Sequence, residues 1–312
     1  MANRFLPQKT LRNSIHCSGI GLHTGAKVNM TLHPAAAETG IVFHRNDVAG
    51  GARIEASWEN AVEAPLCTTL VGDGGAKLCS IEHLMSALAG CGIDNLVVEL
   101  NGPEVPVMDG SAAPFVFLIE CAGTVEQDAP RRALRIRKEV TVADPCRSAS
   151  IAPGAGLSID FEIEFDNPVV ARQRWSIQVS DATYKRDVSR ARTFGFLEEV
   201  DNMRAKGLAR GGSLDNAVVI SGRRILNDGG LRYDNEFVRH KVLDLIGDLY
   251  LAGAPVIGRV RGYRAGHALS LRMLKALFAD HSAWTWTEMT ETDLAQPVGA
   301  TVPPVRAVAA RA

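Results

Sequence analysis

The order of helix and strand patterns repeats once along this chain, and the repeat restricts the folds it can adopt. In each half, short alternating strands are followed by a helix, a strand and a second helix. These later elements are expected at 80–89, 94–100 and 114–121 in the first half and at 236–252, 256–263 and 266–279 in the second. The pattern predicts an α+β fold of two similar α/β-sandwich domains, with sheet layers packed around helices. The active site is expected at their interface, because pockets favour domain junctions.

The boundary between the two units is expected near residues 124–132. This stretch is charged, contains a proline and lacks apolar periodicity. The predicted domains are therefore residues 1–126 and 133–294. Residues 295–312 are rich in Pro, Ala and Val without periodicity, which predicts a flexible tail.

Composition narrows the class of protein. The chain is 46% hydrophobic with a formal net charge of −1, which is typical of a soluble globular protein and gives no sign of a nucleic-acid partner. It contains no apolar run of about 18 residues and no signal-peptide pattern, so no integral membrane segment is expected. The six cysteines include no CxxC pair, which favours a reducing cytoplasm. Free cysteines are usually buried, and Cys67 is the one expected beside a pocket. Nothing suggests an obligate dimer, and a monomer is expected.

Two short segments predict a metal site. His240 and Asp244 are spaced i, i+4 on the predicted helix 236–252, so their Cβ atoms lie roughly 5–6 Å apart on one face. His83, preceded by Glu82, can add a third ligand from the helix at 80–89. Three protein ligands, an open fourth position and a nearby carboxylate base are typical of a zinc hydrolase. Each segment alone also fits an ordinary polar helix face, so the prediction depends on their combination.

Two further segments can complete such a site. His267 lies where a strand turns into a helix, and Asp248 can hold it protonated as a general acid. An exposed or capping histidine is the alternative. Thr193 can polarise a substrate carbonyl while Phe194 and Phe196 line a groove. Packing in the core is the alternative for both rings.

Together these residues resemble the UDP-3-O-acyl-N-acetylglucosamine deacetylase family, the zinc enzymes of bacterial lipid A synthesis. The matching strings occur in the family's order and spacing over nearly the whole chain, up to about Leu294. They are 19–25 (GIGLHTG), 80–84 (SIEHL), 87–90 (ALAG), 92–95 (GIDN), 106–115 (PVMDGSAAPF), 189–196 (SRARTFGF), 236–244 (EFVRHKVLD) and 266–269 (GHAL).

The resemblance implies a role for each matching residue. One zinc ion per chain would be held by His83, His240 and Asp244, with iron(II) as the alternative metal. Glu82 is similar to the family's general base. His267 resembles the group that stabilises the oxyanion and protonates the amine, and Asp248 would orient it. Thr193 resembles the hydroxyl that polarises the carbonyl.

The resemblance also implies a UDP-linked acylated amino sugar as the substrate. Lys241 would contact the sugar nucleotide, and an insertion at about 195–220 would form an acyl tunnel with apolar residues that include Met203 and Leu214. The substrate-binding candidates are Lys241, Leu22, Cys67, Phe194, Phe196, Leu197, Val200, Leu208 and Ser213. Many family members have a lysine before the proline that matches Pro153, whereas this chain has Ala152. Diphosphate binding would then depend on Lys241 or on another basic residue.

The implied reaction is zinc-dependent deacetylation of UDP-3-O-(3-hydroxyacyl)-N-acetylglucosamine to the free amine and acetate. It would be the committed step of lipid A biosynthesis in the cytoplasm of a Gram-negative bacterium. Two alternatives remain open. One is a zinc amidohydrolase that acts on another N-acyl amine. The other is a non-catalytic lipid-binding or sugar-nucleotide-binding protein, which would not need Glu82 beside a ligand or His267 with Asp248.

Overall fold

The structure, a computed structural model, describes residues 5–294. The predicted tail at 295–312 lies outside these residues. The seven α-helices of the described part are α1 Glu82–Cys91, α2 Ala113–Ala122, α3 Asp181–Thr183, α4 Leu197–Ala205, α5 Glu236–Tyr250, α6 His267–Ala279 and α7 Glu291–Leu294. A π-helical turn, Tyr184–Val188, continues α3, and a short 3₁₀ helix covers Asp73–Gly75. Mixed helices and sheets confirm the predicted α+β class.

The first half of the chain builds a five-stranded sheet in the order β2-β3-β9-β4-β5. Alternating burial along β3 puts Val28, Met30 and Leu32 on the core face, as its polar–apolar alternation predicts. The strands of this half are β1 Pro7–Leu11, β2 Ile15–Ile20, β3 Lys27–Pro34, β4 Ile41–Arg45, β5 Ala52–Glu55, β6 Ala61–Val62, β7 Thr69–Val71, β8 Lys77–Leu78 and β9 Leu96–Leu100. Strands β6, β7 and β8 form a small separate sheet.

The second half builds a larger, seven-stranded sheet around β19. Strand β19 pairs antiparallel with β13 and parallel with β14 and β11. The strands from residue 124 onward are β10 Thr124–Pro130, β11 Arg132–Ile136, β12 Val140–Asp144, β13 Arg147–Ala152, β14 Leu157–Glu164, β15 Arg172–Val179, β16 Phe194–Phe196, β17 Val218–Ser221, β18 Arg224–Ile225, β19 Val256–Tyr263 and β20 Trp284–Glu288.

The strand pairings of the two halves follow the same pattern. In the first half β9 lies between antiparallel β3 and parallel β4, and in the second β19 lies between antiparallel β13 and parallel β14. The flanking strands β2, β5, β12 and β15 complete the match. This equivalence supports a repeated unit, although one buried apolar cluster contains residues of both halves. The domain bounds 1–126 and 133–294 stay a prediction.

Helices α1, α2, α5 and α6 connect the two large sheets through their contacts. Helix α2 contacts β2, whereas α6 contacts β12 and β13, and α5 contacts β14 and β15. Helices α1 and α5 pack against each other. Because α1 comes from the first half and α5 from the second, their contact brings together residues about 160 positions apart.

Some sequence-based boundaries differ from the structure. Residues 124–130 form β10, which pairs antiparallel with β1 and alternates half-buried with exposed residues, so it lacks an apolar pattern. Ser80, the first residue of the expected helix at 80–89, lies outside α1. Its φ is +57°, and its hydroxyl donates to Glu104 at 2.8 Å. Helix α1 continues to Cys91 and ends at Gly92, whose φ of +68° suits glycine.

Candidate metal centre and its cavity

The helix pair α1–α5 brings the three predicted ligands to one place. His83 lies in the first turn of α1, and His240 and Asp244 lie on one face of α5. One ligand atom from each of the three lies within 4.8 Å of the others. Asp244 Oδ1 is 3.2 Å from His240 Nε2 and 3.6 Å from His83 Nε2. All three side chains are buried.

The donor atoms of this cluster fit a divalent cation. His240 Nδ1 lies 3.1 Å from the Ala191 carbonyl oxygen, which can only accept, so Nδ1 carries the proton and Nε2 keeps its lone pair. Burial lowers the pKa of His240 to about 3, which keeps the ring neutral. Asp244 Oδ1 is buried without a hydrogen-bond partner among the described residues. A cation between these atoms would satisfy them, and a set of two histidines and one carboxylate suits zinc.

The second oxygen of Asp244 is bound by Lys241. Its Nζ donates to Oδ2 at 2.6 Å. Burial opposes the charge of Asp244, but the Lys241 ammonium beside it favours that charge, and the pKa of Asp244 lies well below its usual range. Burial also opposes the charge of Lys241, yet Asp244 raises the pKa of Lys241. Lys241, expected to contact substrate, therefore also holds a candidate metal ligand in place.

Glu82 lies beside the cluster with its carboxylate buried. Its Oε2 accepts a hydrogen bond from the Thr68 backbone N–H at 3.0 Å, and its Oε1 is 3.8 Å from His267 Nε2. Burial raises the pKa of Glu82 above its ordinary value. A carboxylate with a raised pKa is a stronger base, as general base catalysis near neutral pH requires.

His267 begins α6 and contacts Asp248 of α5. Its Nδ1 lies 3.1 and 3.0 Å from the two Asp248 oxygens. Burial disfavours the imidazolium, but Asp248 and Glu82 outweigh burial and raise the pKa of His267 to about 10. The ring is therefore cationic near neutral pH, with Nε2–H directed toward Glu82 and Asp244.

The sequence prediction missed Thr68, a buried residue at the centre of these contacts. Its hydroxyl donates to Asp248 Oδ1 at 2.5 Å and lies 3.0 Å from His267 Nδ1. Cys67, the expected pocket residue, lines a small cavity together with Thr68, Asp248 and His267. A hydrogen bond with Cys79 and burial raise the pKa of the Cys67 thiol, so it is a poor nucleophile.

A buried ion pair, also missed from sequence, supports this side of the site. Arg192 Nε donates to Glu236 Oε1 at 2.8 Å, and the Arg192 backbone N–H donates to the same oxygen at 3.0 Å. Arg192 follows Ala191, which accepts from His240, and precedes Thr193. Glu236 begins α5. The pair therefore fixes the chain next to two candidate site residues, and only the family strings 189–196 and 236–244 gave a local signal for it.

A cavity of about 930 Å³ lies next to the metal cluster. Most of the predicted substrate-binding residues line it, namely Leu22, Phe194, Phe196, Leu197, Val200, Ser213 and Lys241. The predicted catalytic residues Thr193 and His267 also line it, as do Met203 and Leu214 of the expected insertion. Leu208, also predicted to bind substrate, does not line this cavity within the part of the chain that the structure describes. Gly207, with φ +79°, turns the chain after α4, and Ala209 lines the cavity instead of Leu208.

The cavity lies beside a second space at the metal cluster. A smaller cleft of about 40 Å³ is lined by Glu82 and the three candidate ligands. Leu22, Leu66, Thr193, Lys241 and His267 line both spaces. A ligand could therefore place a polar end at the cluster and an apolar chain in the large cavity.

Ala152, the noted departure from the family pattern, is buried at the end of β13. It pairs with Arg259 of β19, the neighbouring strand. The methyl side chain offers no charge to a phosphate, so any diphosphate contact must come from other residues.

Fold and site together define an α+β enzyme-like scaffold with a buried cluster of two histidines and one aspartate beside a Glu–His pair. Residues 8–279 match the LpxC family, described as UDP-3-O-acyl N-acetylglycosamine deacetylase, and the chain belongs to this family. The chain is 52% identical over 286 residues to the UDP-3-O-acyl-N-acetylglucosamine deacetylase of Acidithiobacillus ferrooxidans, covering 91% of this chain and 94% of that protein. It is 48% identical to proteins of the same name from Xanthomonas euvesicatoria, over 93% and 96%, and Stenotrophomonas maltophilia, over 94% and 97%.

None of the helices in residues 5–294 combines the length and apolar character that crossing a bilayer requires.

Proposed function

We propose that this chain is a zinc-dependent deacetylase of UDP-3-O-(3-hydroxyacyl)-N-acetylglucosamine, acting in lipid A biosynthesis. One observation carries the proposal: the buried cluster of His83, His240 and Asp244 lies next to Glu82 and a cationic His267. Family membership and the names of the relatives support the choice of substrate. The reaction breaks an acetamide C–N bond and releases acetate and a free amine.

The metal would be held by His83, His240 and Asp244. When bound, zinc supplies Lewis-acid chemistry, because it lowers the pKa of a water molecule toward about 7 and polarises a carbonyl. Ala191 would keep His240 in the ligating tautomer, and Lys241 would hold the Asp244 carboxylate.

The protein groups then divide the proton transfers between them. Glu82 accepts a proton from the water that attacks the acetamide carbonyl carbon. Nε2–H of His267 stabilises the developing oxyanion, and the Thr193 side chain adds a hydroxyl donor at the cleft. The leaving nitrogen must gain a proton as the C–N bond breaks. Both Glu82, then protonated, and His267 are in position to donate it.

Thr193 is held by backbone hydrogen bonds on both sides. Its N–H donates to the Gly110 carbonyl at 2.8 Å, and its carbonyl accepts from the Val218 N–H at 2.8 Å. A Cβ on Gly110 would lie 2.1 Å from the Asn216 carbonyl oxygen, so only glycine permits this close packing. A rigid backbone at Thr193 supports its proposed role as a positioned donor.

The large cavity supports an acylated substrate. Its wall includes Leu22, Phe194, Phe196, Leu197 and Val200, which together can bury a fatty chain. Because the cavity and the cleft share five lining residues, a 3-O-acyl group in the cavity would leave the acetamide near Glu82. Iron(II) is the alternative metal, since it accepts the same ligands.

An acetate-release assay on the acylated UDP-sugar, with and without a chelator, tests this proposal. We expect turnover that the chelator abolishes and added zinc restores, with about one zinc per chain by elemental analysis. Turnover of simple N-acetyl amines at equal kcat/KM would favour the broader amidohydrolase. Binding of the UDP-sugar without acetate release would favour a non-catalytic binding protein.

We further infer a monomer in the cytoplasm of a Gram-negative bacterium, in keeping with the family resemblance. Analytical ultracentrifugation and cell fractionation of the source organism test these two points.

A further inference from the structure

Thr68 lies where the elements that carry the proposed acid–base pair meet. Its backbone N–H donates to Glu82 Oε2 of α1 at 3.0 Å. Its hydroxyl donates to Asp248 Oδ1 of α5 at 2.5 Å and lies 3.0 Å from Nδ1 of His267, the first residue of α6. The side chain is buried with 7% of its surface exposed, so water does not compete strongly for these contacts.

The chemistry of these groups fixes the direction of each bond. A hydroxyl has one proton and two lone pairs, whereas a carboxylate only accepts. The Thr68 proton therefore points to Asp248, and a Thr68 lone pair faces the His267 Nδ1–H, which also lies 3.0 Å from Asp248 Oδ2. His267 Nε2 is left facing the cleft, 3.8 Å from Glu82 Oε1.

We propose that Thr68 is a positioning residue that fixes the general base and the general acid relative to each other. Its backbone orients Glu82, and its hydroxyl orients Asp248 and His267. This inference rests on the proposed function for the roles of Glu82 and His267, whereas the hydrogen bonds themselves do not depend on it. Removing only the hydroxyl should disturb His267 and leave the metal ligands in place.

The chain offers a matched control at the next position. Thr69 is also buried, but its hydroxyl donates to Cys79 Sγ at 3.5 Å and lies 3.6 Å from Cys67 Sγ. Thr68→Val and Thr69→Val each replace one hydroxyl with a methyl group of similar volume. Only the first removes a contact to the acid–base pair.

Steady-state kinetics of the full chain with the acylated UDP-sugar test the proposal. Loss of a hydrogen bond that supports a site residue typically lowers activity about 10–100-fold. We expect that loss in kcat for Thr68→Val, with KM and zinc content near those of the wild type. Thr68→Ser, which restores the hydroxyl, should recover most of kcat, and Thr69→Val should retain it. Equal losses in Thr68→Val and Thr69→Val would overturn the proposal.

A second measurement does not depend on turnover. In ¹⁵N-histidine NMR, the Nδ1–H signal of His267, assigned by its absence in His267→Gln, should be protected in the wild type and in Thr68→Ser. It should broaden or shift in Thr68→Val. If acetate release fails in the wild type while this signal changes, the deacetylase function is wrong and the positioning role stands. An unchanged signal in Thr68→Val would overturn the positioning role.

Discussion

Two histidines in this site are held in opposite charge states by their surroundings. His240 is buried against the Ala191 carbonyl with its pKa lowered to about 3, whereas the carboxylates of Asp248 and Glu82 raise the pKa of His267 to about 10. The two aspartates of α5 also differ in their cationic partners. Asp244 binds Lys241, and Asp248 binds His267. Asp244 is a neighbour of both rings, with one oxygen 3.2 Å from His240 Nε2 and the other 3.9 Å from His267 Nε2. A neutral candidate ligand and a cationic candidate acid therefore share one carboxylate neighbour.

Asp244→Asn should lose metal without unfolding. The substitution removes the only carboxylate charge among the three candidate ligands, so we expect zinc content to fall by at least about 10-fold. Elemental analysis after dialysis measures it, and circular dichroism checks the fold. Asp248→Asn is the matched control, because it lies one turn further along α5 and contacts His267. Equal zinc content in both variants and the wild type would remove Asp244 from the ligand set.

The Glu82–His267 pair predicts a bell-shaped dependence of kcat/KM on pH. Activity needs Glu82 ionised, so it falls at acidic pH below the raised pKa of Glu82, and it needs His267 protonated, so it falls at alkaline pH. A bound dication would repel the imidazolium, so the alkaline limb should lie at or below about 10. His267→Gln should abolish that limb.

The base can be tested separately from the pH profile. Glu82→Gln should keep zinc and lower kcat about 10²–10⁴-fold, because the amide cannot accept the proton. Its carbonyl oxygen can still accept from the Thr68 N–H, so the fold around it is retained. Turnover within a few-fold of the wild type would exclude Glu82 as the base.

At the scale of elements, the centre depends on how closely α1 approaches α5. Gly247 lies between Asp244 and Asp248 on α5, and a Cβ there would lie 2.1 Å from the Glu82 carbonyl oxygen. That distance is far inside van der Waals contact, so any larger residue must push apart the two helices that carry the ligands. Glycine at this position is thus required by packing, in the middle of a helix that glycine otherwise weakens.

Gly247→Ala tests the close packing of α1 on α5, because the packing decides whether the substitution raises or lowers the free energy of unfolding. Alanine at an open helical position stabilises a protein by about 0.5–1 kcal/mol relative to glycine. Here overpacking should instead lower the free energy of unfolding by about 1–3 kcal/mol and reduce zinc content. Denaturant unfolding measures the first and elemental analysis the second. Gly229→Ala, where an added Cβ meets no atom within 4 Å, is the control and should remain near wild-type stability. A stabilised Gly247→Ala protein would contradict the close approach.

Sequence patterns predicted helices and strands well where the pattern depends on residues close together in the chain. The span of β19 matches its expectation of 256–263, and the i, i+4 spacing of His240 and Asp244 predicted their shared face. Helix α1 begins at Glu82 and not at residue 80 of the expected helix, because Ser80 has a φ of +57°, which is not helical. Thr68 could not be found because its partners Asp248 and His267 lie 180 and 199 residues away. Nothing near it in the sequence distinguishes it from Thr69.

At the scale of the whole molecule, the proposed activity needs both halves of the chain. The first half contributes Glu82 and His83 from α1, and the second contributes the ligands of α5 and the acid of α6. The cavity also combines them, since Leu22 lies on one side and α4 on the other. Neither half therefore contains all the candidate residues, and the packing of α1 on α5 brings the three candidate metal ligands together.

Because the cavity lies beside the metal cluster, we expect the length of the acyl chain to affect catalysis. Each buried methylene contributes roughly 0.8 kcal/mol to binding. If a long 3-O-acyl chain gains a quarter of this over about ten methylenes, kcat/KM should be about 30-fold higher than for a 3-O-acetyl substrate.

Val200→Asp puts a charge on the cavity wall and should remove most of that advantage while leaving the 3-O-acetyl rate unchanged. Phe117→Asp adds the same charge at an exposed position of α2 and should have no effect on the ratio. Acetate release measured with both substrates tests where the acyl chain binds. If the ratio of kcat/KM for the long-chain and 3-O-acetyl substrates is the same in the wild type and Val200→Asp, the acyl chain binds elsewhere.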